Sequence, residues 1–356
     1  MFLAWREIKQ NKLRFALIIA VLMLVSFLVF FLSGLATGLA GLNREAVDKW
    51  GSDSIYLTEE SDKSLNQSMM EAEKADEVEG DETAVLAVMN VIADNGKDKN
   101  GVALFGIRPD EFIMPDVTDG KPFKEPFEVI ASDYLKDEGF SAGDELSLSS
   151  TDEKVTISGF TDEARFNAAP VLYMSLADLQ KIRLGAAADE LEEGEEPVNA
   201  VVVKGGSDNA VPDELERIET ETFIENLPGY TEQNLTLTLM IYFLFAISAA
   251  VVAIFLYVLT VQKIGMFGVM KAQGISSGYL AWSVIAQTFI LALIGVLIGF
   301  GLTVATGQFL PNAVPVTFDY ATMAIYGAVL VAVAVVGALV SVWTIVKIDP
   351  LEAISG

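Results

Sequence analysis

Four long apolar blocks alternate with polar stretches along the chain. The blocks cover residues 15–42, 235–262, 280–310 and 321–347, and no acidic or basic residue interrupts them. Each block exceeds the roughly 20 residues that a helix needs to cross a bilayer. The pattern therefore predicts four transmembrane helices. The first block is too long for the apolar part of a cleaved signal peptide, so we interpret it as a retained span.

The polar segment between the first two spans, residues 43–234, shows the patterns of a folded domain. Short apolar runs and turn signals predict strands at 54–57, 83–92, 102–107, 170–174 and 198–204, and a hairpin of a small barrel-like unit at 146–157. Helices are predicted at 65–78, 176–184 and 213–226, with a short one within 128–138. The predicted fold class is a membrane protein with four transmembrane α-helices, an N-terminal amphipathic helix and an α+β extracytoplasmic domain.

Besides the short connection at 311–320, three shorter segments lie outside the spans. Residues 1–14 interleave apolar and basic side chains, which favours an amphipathic helix in the membrane interface, with a simple basic anchor as the alternative. Residues 263–279 predict a short helix in which Met266, Phe267 and Met270 share one apolar side and Gly274 ends the helix. Residues 348–356 form a tail.

The charges of the chain are unevenly distributed. The net charge is −26, and residues 43–234 hold 45 of the 49 Asp and Glu residues. The segment 263–279 holds Lys263 and Lys271 and no acidic residue. Because short basic segments stay on the inner side, we expect both termini and residues 263–279 in the cytoplasm of a multi-pass cell-membrane protein. The acidic domain argues against binding of nucleic acid.

The chain offers little chemistry of its own. It has no Cys and no His, which removes disulfides, thiolate metal sites and the commonest general base. No P-loop is present, and the G-x-S-x-G pattern at Gly274–Gly278 has neither a His partner nor a preceding strand. We therefore expect no catalytic residue, no metal site and no resident cofactor.

Small residues in the spans predict close helix contacts. Gly34 and Gly38 form a G-x-x-x-G pair in the first span, and Gly295 and Gly299 have the same spacing in the third. Such pairs let helices approach closely, so the first pair is a weak signal for dimerisation.

The chain resembles an FtsX-like/MacB-like ABC transporter permease in four features. These are Trp5–Lys9 (WREIK), the order of one span, a large domain and three spans, the pattern G-V-x-K-A-x-G-x-S at Gly268–Ser276, and the ending KIDPLEAI. The resemblance implies a homodimer in membrane lipid that binds two copies of a separate ABC ATPase and moves its outer domain in response. It also implies that residues 263–279 are the coupling helix, with contacts from Gly265, Met266, Phe267, Met270, Lys271 and Gly274.

Within that family the chain is most similar to the haem-regulated (Hrt-type) efflux permeases of Gram-positive bacteria. The matching features are MFLAWREI, FLVFFLSGL and NLPGYTEQ. The resemblance implies haem taken from the outer leaflet as the transported ligand. Without His or Cys, its axial ligand would be Tyr, Met, Lys or a carboxylate. The candidate haem-binding residues are Tyr230, Met240, Phe243, Phe27, Phe30, Phe31 and Arg165.

Simpler roles exist for these residues. Tyr230 suits an interface belt, the phenylalanines suit lipid contact or packing, and Arg165 suits a surface salt bridge. Two other functions also fit the sequence. The chain could be a mechanotransmitting regulator of a cell-wall hydrolase, or an exporter of an antimicrobial peptide or lipid.

Overall fold

A computed structural model describes residues 12–192, 194–206, 211–310 and 314–347, without the side chains at 340, 344, 345 and 347. The chain divides into two compact units, residues 40–233 and residues 1–39 with 234–356. The predicted tail and most of the predicted amphipathic helix lie outside the described residues.

Four long helices dominate the first unit. They are α1 (Lys12–Trp50), α5 (Tyr230–Gln262), α7 (Ser277–Gly307) and α8 (Tyr320–Lys347), and a short helix, α6 (Ile264–Ala272), connects α5 to α7. All four are long and apolar enough to cross a membrane. This confirms the predicted spans, but α1 continues eight residues beyond the predicted end at 42.

Apolar side chains from all four long helices form the core of the bundle. One cluster includes Leu22, Val252, Leu291 and Ala334, and a second includes Val29, Ile241, Val296 and Leu330. Each helix buries one stripe and leaves the rest exposed, as expected for a bundle that meets lipid.

Glycines bring the helices of the bundle close together. A Cβ atom at Gly295 would come within 2.7 Å of the Leu22 Cβ atom, and one at Gly299 within 2.7 Å of the Ser26 Cβ atom. Gly34 and Gly38 contact the segment 314–319 of the same unit instead. The Phe318 ring lies against Gly34, and the Pro315 carbonyl lies against Gly38. The expectation that this pair serves dimerisation is therefore wrong for this conformation.

The second unit is built on a mixed sheet. The strands of this unit are β1 (Ser54–Thr58), β2 (Met70–Glu71), β3 (Glu82–Asp94), β4 (Lys99–Ile107), β5 (Asp119–Gly120), β6 (Glu128–Ser132), β7 (Glu145–Leu148), β8 (Lys154–Thr161), β9 (Arg165–Phe166), β10 (Ala169–Ser175), β11 (Pro197–Val198), β12 (Ala200–Lys204) and β13 (Leu215–Glu219). Strands β2 and β11 pair with each other in a separate two-stranded sheet. Its helices are α2 (Tyr134–Asp137), α3 (Leu176–Leu184) and α4 (Thr220–Glu225).

Six strands close into a ring. In order they are β3, β4, β10, β6, β8 and β7, and β7 pairs back onto β3 through Ala93 and Leu148. The pairs β4–β10 and β6–β8 are parallel, and the others are antiparallel. Strands β12, β1 and β13 extend the sheet from β3. The predicted α+β class of this domain and its barrel-like hairpin are thereby confirmed.

Two predicted helices of this unit are wrong. Residues 65–78 form turns, the short strand β2 and a 3-10 helix at Ala72–Glu77. Residues 213–226 begin as β13, because Leu215 and Ile218 enter the core from a strand that pairs with β1, and only Thr220–Glu225 is helical. In both segments tertiary pairing overrides local propensity.

Candidate functional site

The connection between the second and third spans is a capped helix. After α6 ends at Ala272, Gly274 adopts a left-handed conformation with φ of 89°. The Gly274 N–H donates to the Lys271 carbonyl at 2.9 Å, and the Ile275 N–H donates to the Met270 carbonyl at 3.1 Å. These two bonds form a Schellman motif, and both Met270 and Ile275 pack against the same apolar cluster. The predicted helix and its glycine stop are confirmed.

The exposed side of α6 differs from the predicted one. Phe267 is only 3% exposed and packs with Leu280 and Val284, while Met270 is half-buried against the same cluster. Met266 and Val269 are each 45% exposed. The assignment of Phe267 and Met270 to a partner contact is therefore wrong for this conformation, because α7 already covers them. The exposed side of the helix contains Gly265, Met266 and Val269.

Ser276 has a structural role at the start of α7. Its hydroxyl oxygen accepts a hydrogen bond from the Tyr279 N–H at 3.3 Å, and its backbone is extended, as in an N-cap residue. The serine of the Gly274–Gly278 pattern is thus a helix cap, which accounts for the pattern without a catalytic role.

Basic residues surround this connection. Arg14 donates to the Gln262 side chain at 2.5 Å, and the Lys271 ammonium donates to the Val346 carbonyl at 3.2 Å. The Lys263 ammonium lies 5.8 Å from the centre of the Phe15 ring. Helix ends of α1, α5, α6 and α8 therefore meet here in a positively charged cluster.

The candidate haem residues of the bundle occupy three environments. Phe30 is buried and meets Phe300 edge to face at 6.0 Å, so it is a core residue, and its assignment to a haem-lining surface is wrong for this conformation. Phe27 and Phe31 are half-buried and stack on each other at 5.9 Å. Met240 and Phe243 are 48% and 61% exposed. Because they lie three residues apart on α5, they form one exposed apolar patch.

The other candidates, Tyr230 and Arg165, belong to the second unit. Tyr230 is only 6% exposed, and its hydroxyl accepts a hydrogen bond from Arg44 at 3.1 Å. Arg44 also binds the carboxylates of Asp48 and Glu221 at 2.7 and 2.8 Å. The hydrogen bond to Asp48 is the main reason that the pKa of Arg44 is raised. The phenol of Tyr230 is therefore engaged, and in this conformation it is not presented to a haem iron.

Arg165 binds inside the second unit rather than at an open surface. Two of its nitrogens donate to the Glu45 carboxylate at 2.9 and 3.0 Å, and its guanidinium lies 3.6 Å from the centre of the Tyr134 ring. The Tyr134 hydroxyl donates to Glu45 at 3.1 Å. Burial, followed by the charge of Glu45, raises the pKa of Tyr134 to about 12. The role as propionate partner is wrong for this conformation, since Glu45 occupies the guanidinium fork.

These contacts fix the last turns of α1 to the domain. Arg44, Glu45 and Lys49 each bind a different element of the second unit, and Lys49 reaches the Asp162 carboxylate at 2.8 Å. Trp50 is buried in the aromatic core beside Phe105. We call residues 40–50 the α1 extension. The sequence pattern did not predict this extension, although an ion pair of Arg44 and Asp48 at i and i+4 is typical of a continuing helix.

Residues 238–350 match the family described as FtsX-like permease C-terminal. The whole chain is 25% identical over 362 residues to a putative hemin transport system permease protein HrtB of Staphylococcus haemolyticus, which it covers to 99%. It is 26% identical to the protein of the same name from Staphylococcus epidermidis, again over 99% of that protein. An uncharacterized ABC transporter permease of Mycobacterium tuberculosis is 21% identical over 365 residues.

Among solved structures, the extracellular domain of the noncanonic ABC-type transporter YknZ from Gram-positive bacteria is similar to part of the chain. It aligns with a TM-score of 0.32 and 14% identity, over 47% of this chain and 99% of that domain.

Proposed function

We propose that the chain is an FtsX-like ABC transporter permease that exports haem from the membrane, driven by a separate ATPase subunit. The observation that carries this proposal is the similarity to putative hemin transport permeases over 100% of the chain. The spans and the domain are both included in that similarity, so it concerns the whole chain rather than one module.

The exposed patch of Met240 and Phe243 on α5 is the proposed contact for haem. A porphyrin is flat and apolar, and it lies in the bilayer beside side chains that face lipid. Phe243 supplies a ring for stacking, and the thioether of Met240 is a known type of axial ligand for haem iron. Ile247 is also exposed one turn further and extends the patch. Lipid occupies the same surface when no haem is bound.

The ATPase subunit acts on the permease through the exposed side of α6. Met266 and Val269 are exposed apolar side chains next to the basic cluster of Arg14 and Lys263. An ATPase subunit would bury these two side chains, and the Schellman motif would transmit the displacement to α7 because it fixes the end of α6. Two ATPase copies act on a permease homodimer in this scheme.

Movement then passes along α1 and α5 into the domain. Both helices continue without a break from the spans into residues of the second unit. Arg44 joins the two helices by its bonds to Asp48 on the α1 extension and to Tyr230 at the start of α5. A displacement of the spans would therefore reach the domain through stiff elements. This is the mechanotransmission that we propose for the export step.

Haem binding to the purified permease tests the proposal directly. Titration with haemin should give a saturable shift of the Soret band. Met240→Ala should raise the dissociation constant for haemin about ten-fold, which corresponds to about 1.4 kcal/mol. Ile254→Ala is the matched control, since Ile254 is also an exposed apolar residue of α5 but lies outside the patch.

Transport requires a second measurement. Proteoliposomes that hold the permease and its ATPase should lose haem only with ATP, and Met240→Ala should slow this loss. The haem proposal would be contradicted if haemin did not bind saturably, or if Met240→Ala and Ile254→Ala lowered the affinity for haemin equally. Neither result would bear on the permease fold.

A further inference from the structure

A cleft of about 540 Å³ lies on the second unit beside the paired strands β2 and β11. Its apolar lining is Met69, Met70, Leu184, Leu191, Pro197 and Leu215. This volume falls within the range of ligand pockets, roughly 300 to 1,000 Å³. It is enough for a few side chains of a partner but not for a folded element.

The apolar lining is unusually open to water for a domain with a full core. Met69 is 59% exposed and Leu184 is 38% exposed, while Met70 is nearly buried and belongs to the core. Exposed apolar surface with a polar rim is typical of interaction sites. Methionine also suits such a site, because its flexible thioether side chain adapts to partners of different shape.

The rim of the cleft is acidic. Glu71, Glu195 and Glu214 line it, and Lys74 is its one cation among the described lining residues. The Lys74 ammonium binds Glu77 at 3.0 Å, and this bond, with a smaller contribution from the charge of Glu214, raises the pKa of Lys74. The described residues that adjoin it in the chain, 185–192 and 194–196, add further carboxylates. The field at the cleft is therefore negative.

We propose that this cleft docks a basic amphipathic segment of a partner protein. Apolar side chains of the segment enter between Met69 and Leu184. Its Lys or Arg side chains lie over the rim and pair with the carboxylates of Glu71, Glu195 and Glu214.

Charge decides against other occupants. A porphyrin or an anionic lipid brings carboxylates or phosphates, which the rim would repel. A second copy of this domain carries the same strongly acidic surface, since residues 43–234 hold 45 of 49 acidic residues. A basic segment gains from the apolar lining and from the rim together, and its association should weaken with salt.

The absence of cysteine permits a site-specific test on the full-length permease in phosphatidylcholine nanodiscs. Thr58→Cys places one thiol in the lining, and the two backbone hydrogen bonds at this residue remain. The probe is a Leu/Lys peptide of about 15 residues, near the shortest length that forms an isolated helix. It should slow alkylation of the thiol by a maleimide. A Leu/Glu peptide of the same pattern should not.

Two variants in the Thr58→Cys background separate docking from general adsorption. Met69→Ser combined with Leu184→Ser should weaken peptide protection about ten-fold or more, which corresponds to about 1.4 kcal/mol. Ile92→Ser removes an exposed apolar side chain of β3 outside the cleft and should leave protection unchanged. An unchanged thermal midpoint in each variant shows that the fold is retained.

Several results would overturn the proposal. These are a lack of protection by the Leu/Lys peptide, equal protection by the Leu/Glu peptide, and equal effects of the cleft and Ile92 variants. Protection by haemin instead of the peptide would assign the cleft to a porphyrin. Protection that rises with permease concentration alone would assign it to a second copy.

Discussion

Gly38 and Gly301 are both helix glycines, but their surroundings are opposite. A Cβ atom at Gly38 would overlap the Pro315 carbonyl, whereas one at Gly301 would meet no atom within 4 Å. Gly38→Ala should therefore lower the free energy of unfolding by about 1–3 kcal/mol through overpacking. Gly301→Ala should raise it by up to about 1 kcal/mol, because alanine favours the helix. Thermal unfolding in detergent measures both. Equal effects would contradict the contact with the segment 314–319.

Glu111 gives the domain a pH dependence. Its carboxylate accepts a hydrogen bond from the Val85 N–H at 2.8 Å and lies 3.8 Å from Arg108. Burial outweighs these contacts and raises the pKa of Glu111 from 4.5 to about 7. The folded state therefore binds a proton more tightly than the unfolded state. The favourable contribution of this group is complete below about pH 4.5 and is lost as the pH rises through 7.

Glu111→Gln should remove that loss. The amide oxygen still accepts from the Val85 N–H but carries no charge. As the pH rises from 5 to 8, the free energy of unfolding of the variant should therefore increase by roughly 1–2 kcal/mol relative to that of the native protein, allowing for partial screening. Denaturant unfolding at both values measures the difference, and Glu153→Gln on the exposed β7–β8 turn is the control. A stability difference that does not change with pH would contradict the raised pKa.

At the residue scale the sequence predicts types of environment better than partners. Gly274 was predicted as a helix stop, because few other residues adopt its conformation easily. The resemblance implies a haem site that includes Tyr230 and Arg165. In the structure Tyr230 binds Arg44, 186 residues away in the chain, and Arg165 binds Glu45, 120 residues away. Nothing in the local pattern specifies such distant pairs.

At the element scale, α6 presents two sides with different roles. Met266→Glu or Val269→Glu should leave the fold intact but abolish stimulation of the partner ATPase, because both side chains are exposed. Phe267→Ala should instead destabilise the helix connection by about 3–5 kcal/mol, the usual cost of truncating a buried phenylalanine. ATPase assays and thermal unfolding distinguish the two effects.

The control for the added charge is Gln308→Glu, at an exposed residue directly after α7. Met270→Glu does not separate coupling from folding, since Met270 packs against the Phe267 cluster. Normal ATPase stimulation by both the Met266 and the Val269 variants would show that this side of α6 is not the contact.

Helices and strands were predictable where the apolar residues recur with one clear spacing along the sequence. The spans, the strands at 83–92 and 102–107, and the helix Leu176–Leu184 follow from their apolar patterns. The segments 65–78 and 213–226 mix polar and apolar residues without a clear period. Their strands form only because β11 and β1 provide backbone partners. The α1 extension was missed for a related reason, since contacts in the domain stabilise it rather than lipid.

At the scale of the whole molecule, the proposals depend on the orientation of the chain in the membrane. The ATPase contact requires α6 in the cytoplasm. The docking of a partner at the cleft beside β2 and β11 is proposed for an acidic domain that lies outside. The distribution of Lys and Arg predicts this orientation, because basic residues near the spans are retained inside.

Single cysteines test the orientation without interference, because the chain contains none. In intact cells a membrane-impermeant maleimide should label Lys97→Cys in the exposed β3–β4 turn and should not label Gln273→Cys after α6. Permeabilised cells should label both. The reverse pattern would place α6 outside, where no ATP-driven subunit can act on it, and the coupling mechanism would fail. The haemin titration would still report on binding, so a failure of orientation can be distinguished from a failure of the haem site.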